Sequence, residues 1–182
     1  MTFTGSLKSD SDKSGILAFL QSRYIPGIGK VFAKKIYESL GERLLQPEIL
    51  TSEDFASVPG IGINTATSIV EAIRSLPVSP ALLTFLFSCG LGNEEITKII
   101  HKYGADTEKV ITQNPYDMVE DVWKFSFFKA DKIGIRLGIT GDDTRRLQGA
   151  LLTAVKIHAE RGSLFATKNE LFATASVIAK VE

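Results

Sequence analysis

A short string returns along this chain at a nearly fixed interval, and that interval limits what the chain can fold into. PGIGKVFAKKIYESL starts at Pro26 and PGIGINTATSIVEAI starts at Pro59, 33 residues later. CGLGNEEITKIIHKYG follows from Cys89, with Gly90, Leu91 and Gly92 standing 30 residues beyond Gly60, Ile61 and Gly62. A fourth, degenerate copy is KFSFFKADKI, in which Lys124, Phe125 and Ser126 stand where the others have Gly, apolar, Gly. A period of this size marks a chain assembled from small supersecondary units that bury a core only by stacking on one another.

Within each copy apolar residues recur at three and four spacing, with almost no strand-like alternation between Ile16 and Ile139. Each copy therefore reads as helix, turn, helix. Upstream helices are predicted over 16–22, 52–57 with Ser52 as N-cap, 81–88 and 115–122; downstream helices follow over 31–40, 64–76, 94–103 and 129–137. Helices this short are not stable alone. The expected fold class is thus all-α, a tandem bundle of four hairpins paired over 16–76 and 77–139. Beyond the polar turn ITGDDTRRLQ, Asp142 and Asp143 are placed to cap a helix over 144–161. RGSLFATKNEL reads as a short extended stretch, after which Thr167, with Glu170 three residues on, caps a last helix to Ile178. Residues 140–182 are read as the start of a further small helical, winged-helix-like domain. Residues 1–15, rich in Ser, Lys, Asp and Gly and without periodicity, are expected to be a flexible tail. The last apolar stripe stops abruptly at Glu182, so the chain is expected to be a piece of something longer.

Composition narrows the function classes. At 44% hydrophobic and 23% charged the chain is one that folds. Its 21 Lys and Arg balance 21 Asp and Glu, so no global charge steers it to nucleic acid or membrane, and any nucleic-acid site must be a local patch. A single cysteine, Cys89, excludes an intramolecular disulfide framework and a Cys-based zinc site, and fits a reducing compartment. The longest apolar run, 82–87, is far too short to span a bilayer, and the first fifteen residues hold no apolar core like that of a signal peptide. A cytoplasmic protein with no membrane partner is expected.

The chemistry lies in the turns. Glycine at both turn positions permits positive φ and the close approach of another backbone. The amides of the turn and of the next helix's first turn then have no internal partner, and with the helix dipole they form an anion site sized for a phosphate oxygen. The central Ile28 or Ile61 anchors the turn in the core, and Ala33 or Ala66 lets the helices pack closely. The phosphate-binding residues expected are Gly27, Gly29, Lys30 and Lys34 in the first copy and Gly60, Gly62, Asn64 and Thr65 in the second. Arg23 and Lys35 make the first turn the more basic. Lys124 and Lys129, with Lys132, are further candidate contacts on the fourth copy. At Gly90 the acidic pair Glu94 and Glu95 opposes a phosphate. Trp123, Phe125, Phe127 and Phe128 are read as core before a stacking platform. Arg145 and Arg146 are read as surface charges, and Cys89 as a buried small apolar residue. No catalytic constellation and no metal site is found: His101 and His158 are far apart, and Cys89 has no His partner.

This turn between two helices resembles the helix-hairpin-helix motif of non-sequence-specific DNA-binding proteins. The order of the pieces, with NPYDMVEDVW followed by KADKIGIRLGI as the most specific stretch, resembles RecD-like superfamily 1 DNA helicases that act outside the RecBCD complex, also described as exodeoxyribonuclease V alpha chain-like. The likeness spans about 16–182. It implies a parent that translocates 5′ to 3′ on single strands, unwinds DNA with ATP and magnesium, and serves recombination and repair, with DNA and the motor domains in cis as partners. No G-x-x-x-x-G-K-[ST] loop occurs in these 182 residues, so the segment itself is expected to need no cofactor and to catalyse nothing. Its implied role is to hold DNA beside the motor. Two other readings compete: a structural or protein-interaction module bracing a motor domain or partner, and a glycosylase. The glycosylase would need a catalytic Asp beyond a glycine turn, and the candidate Asp54 lies on the first helix of the next hairpin.

Overall fold

The computed structural model describes residues 10–162 and 165–180. The three- and four-residue apolar spacing resolves into helices α1 (Asp10–Leu20), α2 (Lys30–Leu40), α3 (Ser52–Ala56), α4 (Ile63–Arg74), α5 (Pro80–Ser88), α6 (Asn93–Tyr103), α7 (Thr107–Gln113), α8 (Met118–Asp121), α9 (Phe127–Arg136), α10 (Thr144–Glu160) and α11 (Lys168–Ala179). Short 3-10 turns occupy Gly41–Leu45, Gly104–Asp106 and Pro115–Asp117. Among the described residues there is no strand, and the fold is all-α. The repeat is realised as the hairpins α1–α2, α3–α4, α5–α6 and α8–α9. The first helix of the fourth is broken into the turn at Pro115–Asp117 and one turn of α8.

Several boundaries differ from expectation, each for a local reason. α3 is capped by Thr51 instead of Ser52: the Thr51 hydroxyl accepts from the Asp54 amide while the Asp54 carboxylate accepts from the Thr51 amide at 2.9 Å, a reciprocal box. α1 extends back to Asp10, into the stretch expected to be a tail, whose residues 1–9 lie outside the described residues. The extension is held by packing, since Gly15 is buried against α5. A Cβ at Gly15 would lie 2.5 Å from the Thr84 carbonyl oxygen and 2.8 Å from Ser88 Cβ, so only glycine permits this crossing. Between α10 and α11 the described residues hold no extended strand, and residues 163–164 of that expected stretch lie outside them.

The chain divides into two compact units, one ending at Ile100 and the other starting at His101. In the first unit α1 packs along α5, which ties the third hairpin to the first. Its core is formed by Ile16, Phe19, Leu20, Ile36, Phe55, Ile69, Leu82 and Leu86, all at most 1% exposed. In the second unit α10 packs on α8, α9 and the turn at Pro115–Asp117 and pairs with α11, so it completes the fourth hairpin and does not open a separate body.

The second unit is organised around Tyr116, 1% exposed. Its hydroxyl donates to Asp131 Oδ1 at 2.7 Å, and Arg146 grips the same carboxylate through Nε at 2.8 Å and a second guanidinium nitrogen at 3.2 Å. Arg146 also donates to the Gly141 carbonyl at 2.9 Å. It is 8% exposed, a buried ion-pair member and not the surface charge expected. Arg145 is spent on Asp143, at 2.7 Å, and on the Gln113 carbonyl, at 2.9 Å. Room for the ring comes from glycines: a Cβ at Gly149 would stand 2.8 Å from Tyr116 Cβ, and one at Gly134 would meet the phenol oxygen. Tyr116 of NPYDMVEDVW and Asp131 and Gly134 of KADKIGIRLGI thus meet in one network.

Two substitutions test this. Asp131→Ala leaves Arg146 buried without its partner and is expected to cost about 3–5 kcal/mol. Gly149→Ala is expected to cost about 1–3 kcal/mol through overpacking against Tyr116. Urea unfolding measures both, and a loss under about 0.5 kcal/mol, the ordinary range for surface changes, contradicts the network.

Candidate nucleic-acid interface

The four turns share one backbone path. Gly27, Gly60 and Gly90 have φ of +78°, +97° and +82°, and Lys124 holds the same place at +57°. Two residues on, the chain is extended: Gly29 at φ −85°, ψ 172°, Gly62 at −79°, 160°, and Ser126 at −89°, 153°. The residue between is driven into the core each time, with Ile28 and Ile61 8%, Leu91 4% and Phe125 5% exposed. Four residues after the second turn position Ala33, Ala66, Ile96 and Ala130 are fully buried, and their amides donate to the carbonyls of Gly29, Gly62, Gly92 and Ser126 at 2.9–3.2 Å. The turn of the degenerate copy thus differs in residue type and keeps the backbone path. Lys124 adopts a conformation that costs an L-residue roughly 1–2 kcal/mol.

What the turns offer a ligand differs. In the first, Gly27, Gly29, Lys30, Lys34 and Lys35 are exposed, as is Arg23 upstream, and no side chain caps α2. In the second, Gly60, Gly62, Asn64 and Thr65 are exposed and α4 is likewise uncapped. The third turn is closed: the Glu95 carboxylate accepts the Gly92 amide at 2.6 Å and so holds an anion's place from within the chain. The sequence placed acid there but not this bond. The half-buried Asn93 accepts the Arg23 amide at 3.3 Å.

The first two turns are brought together by contacts that no local pattern reveals. A Cβ at Gly60 would lie 3.0 Å from the Phe32 ring of α2. Lys35 Nζ, 5.6 Å from the centroid of that ring, donates to the Pro59 carbonyl at 3.3 Å. Lys35 thus lends its charge to the second turn, which has no cation of its own beside it. The acids near that turn are partly neutralised. Asp54 pairs with Arg43 at 3.1 Å, and the Thr51 amide, the Thr51 hydroxyl and Arg43 hold its carboxyl below its usual 3.8. Asp54 is a capping residue, which removes the glycosylase reading's one candidate. Arg74 donates to the Leu50 carbonyl at 3.1 Å and serves the loop.

On the fourth turn Lys124 and Lys132 are exposed and Lys129 half-buried. The aromatic cluster splits: Phe125 and Phe127 are core, whereas Trp123 is 75% and Phe128 60% exposed. Cys89 is buried. Among the described residues no group of three or more His, Cys, Asp or Glu gathers to hold a metal, and no helix is long and apolar enough to cross a membrane.

Residues 79–165 match the family model described as the ATP-dependent RecD2 DNA helicase HHH domain, and residues 19–75 match the SAM-like helix-hairpin-helix tandem. The chain is 26% identical over 152 residues to the ATP-dependent RecD2 DNA helicase of Deinococcus radiodurans, an alignment covering 84% of this chain and 21% of that protein. The chain thus spans about a fifth of the length of that relative. No solved structure matches it.

The two glycine positions of a turn should behave oppositely. Gly29→Ala, at negative φ with open space around it, is expected to change stability by under about 1 kcal/mol. Gly60→Ala, at φ +97° against Phe32, is expected to lose about 1–3 kcal/mol. Thermal unfolding compares them, and equal effects contradict the turn geometry. Asp54 supplies a pH test. Its folded carboxyl titrates lower than its unfolded one, so its contribution is complete above about pH 4 and is lost as pH falls through the folded value. Thr51→Ala should flatten that acid limb of stability, and an unchanged limb contradicts the box.

Proposed function

We propose that the chain is the helix-hairpin-helix region of a RecD-like DNA helicase, a DNA-binding accessory domain that grips backbone phosphates without regard to sequence. The observation that carries this is the pair of open turns, Gly27 to Lys30 and Gly60 to Asn64. Each presents exposed glycine backbone at an uncapped helix start, and Phe32 and Lys35 draw the two together. Amides at a helix N-terminus accept an anion. Lys30 and Lys34 add point charges in the first turn and Lys35 in the second, while Asn64 and Thr65 can donate without charge. Contacts to phosphate fix position on the strand and read no bases, so little sequence preference follows. The parent on this reading is a 5′ to 3′ helicase that uses ATP and magnesium in recombination and repair, in the cytoplasm. This segment holds DNA beside the motor domains and performs no catalysis of its own. The closed third turn is structural.

Anisotropy titrations of the chain with labelled, mixed-sequence DNA over a salt series test the proposal. With three to four phosphates neutralised, log K should fall against log salt with a slope of about −3 to −4, from an affinity of about 10⁻⁴ to 10⁻⁶ M. Lys30→Glu should weaken binding and lower the slope by about 1 or more. Gly29→Val should weaken it without unfolding the chain, because a Cβ there meets nothing within 4 Å in the protein while the added side chain fills the space a phosphate needs. Glu95→Ala should strengthen binding and steepen the slope by about 1, by opening the third turn. Absence of binding by the parent chain and by Glu95→Ala alike would favour the bracing module that contacts only protein.

A further inference from the structure

The fourth hairpin keeps the backbone of the repeat but changes what stands on it. Trp123 occupies the place of Pro26 and Pro59, and Lys124 that of Gly27 and Gly60. A turn serving the fold alone would retain glycine at a φ of +57°, where lysine is strained. The core does not ask for Trp123 or Phe128 either. Phe125 is buried, and the Phe127 ring lies 5.6 Å from the Tyr116 ring with the Arg146 guanidinium 6.0 Å from its centroid. Trp123 and Phe128 remain on the surface to either side of the turn, 75% and 60% exposed. Large aromatic rings left in water beside a basic turn call for a ligand with flat faces and negative charge.

Charge around the rings agrees. Lys124 Nζ stands 5.7 Å from the Trp123 ring centroid, and Lys132 is exposed on α9. Two acids of this region are engaged, Asp121 with Lys102 at 3.6 Å and with the Tyr103 hydroxyl at 3.0 Å, and Asp131 with Arg146 and Tyr116, while Glu120 is exposed on α8. The Ser126 hydroxyl does not cap α9. Stacking surface and cations at one turn match unpaired nucleotides, whose bases are free to stack and whose phosphates lie one step away. In duplex DNA the base faces are hidden, and the same rings find nothing to stack on.

We propose that the turn of the fourth hairpin is a binding site for single-stranded DNA, with Trp123 and Phe128 stacking on unpaired bases and the exposed Lys124 and Lys132 placed at the phosphates between them. This rests on the DNA-binding reading above and deepens it: the glycine turns hold any DNA backbone, and this turn selects the unpaired strand.

Trp123 is the only tryptophan of the chain, so its emission reports this one site. The whole chain is titrated with oligo(dT), with an abasic strand of equal length and with a duplex, following Trp emission and the anisotropy of labelled DNA together. The expected result is emission quenched by oligo(dT) and unaltered by the abasic strand and the duplex, while all three bind. Trp123→Ala should weaken oligo(dT) about 5- to 20-fold and duplex less than 2-fold. Phe128→Ala should act in the same sense, and Trp123→Phe should restore most of the loss. Binding of all three with emission unchanged overturns this site and leaves the phosphate reading standing. Equal loss for strand and duplex in Trp123→Ala also overturns it. Failure of every DNA to bind removes both.

Discussion

Each hairpin depends on pushing one apolar residue into the core from the middle of a turn. To bury Ile28, Ile61, Leu91 or Phe125 the chain must reverse within three residues, which demands positive φ just before and extended backbone just after. That path sends the polar groups of the turn outward and starts the next helix with its amides uncovered. Burial and exposure are therefore two sides of one constraint: the same reversal that completes the core leaves the turn amides exposed. The strength of the constraint shows in the fourth hairpin, where a lysine accepts a strained conformation so that Phe125 can be buried.

Whether a turn is open or closed is then decided by single side chains. Glu95 fills the third from within, two residues after the helix begins. The first and second are left open, and Lys35 crosses from one helix to the other turn to place a cation where the local sequence has none. A neutral chain can thus carry a locally basic turn, because Arg23, Lys30, Lys34 and Lys35 all stay exposed around the first.

The sequence made legible what is local and periodic. The turn register, the buried central residue, the small residue four positions on and the start of α11 at Thr167 with its Glu170 partner all follow from spacing and capping chemistry. Features that depend on distant partners could not be read there. Gly15 is small because α5 crosses it, so α1 looked shorter than it is. Arg146 beside Arg145 has the pattern of a surface pair, and only Asp131, fifteen residues away on another helix, makes it a buried one. α7 and the 3-10 turns carry too few residues for a periodic signal. The division of the chain follows packing between helices remote in sequence, as with α1 on α5, and the repeat by itself does not encode which hairpins pair.

The central claim is that two turns hold phosphate through backbone amides, and amide resonances observe it directly. In a nitrogen-15 labelled chain titrated with a short duplex, the account predicts shifts concentrated at Gly27, Gly29, Lys30, Gly60, Gly62 and Asn64. The Gly92 amide, held by Glu95, should stay in place. Shifts that spare both open turns, or that move Gly92 as much as Gly29, would contradict it.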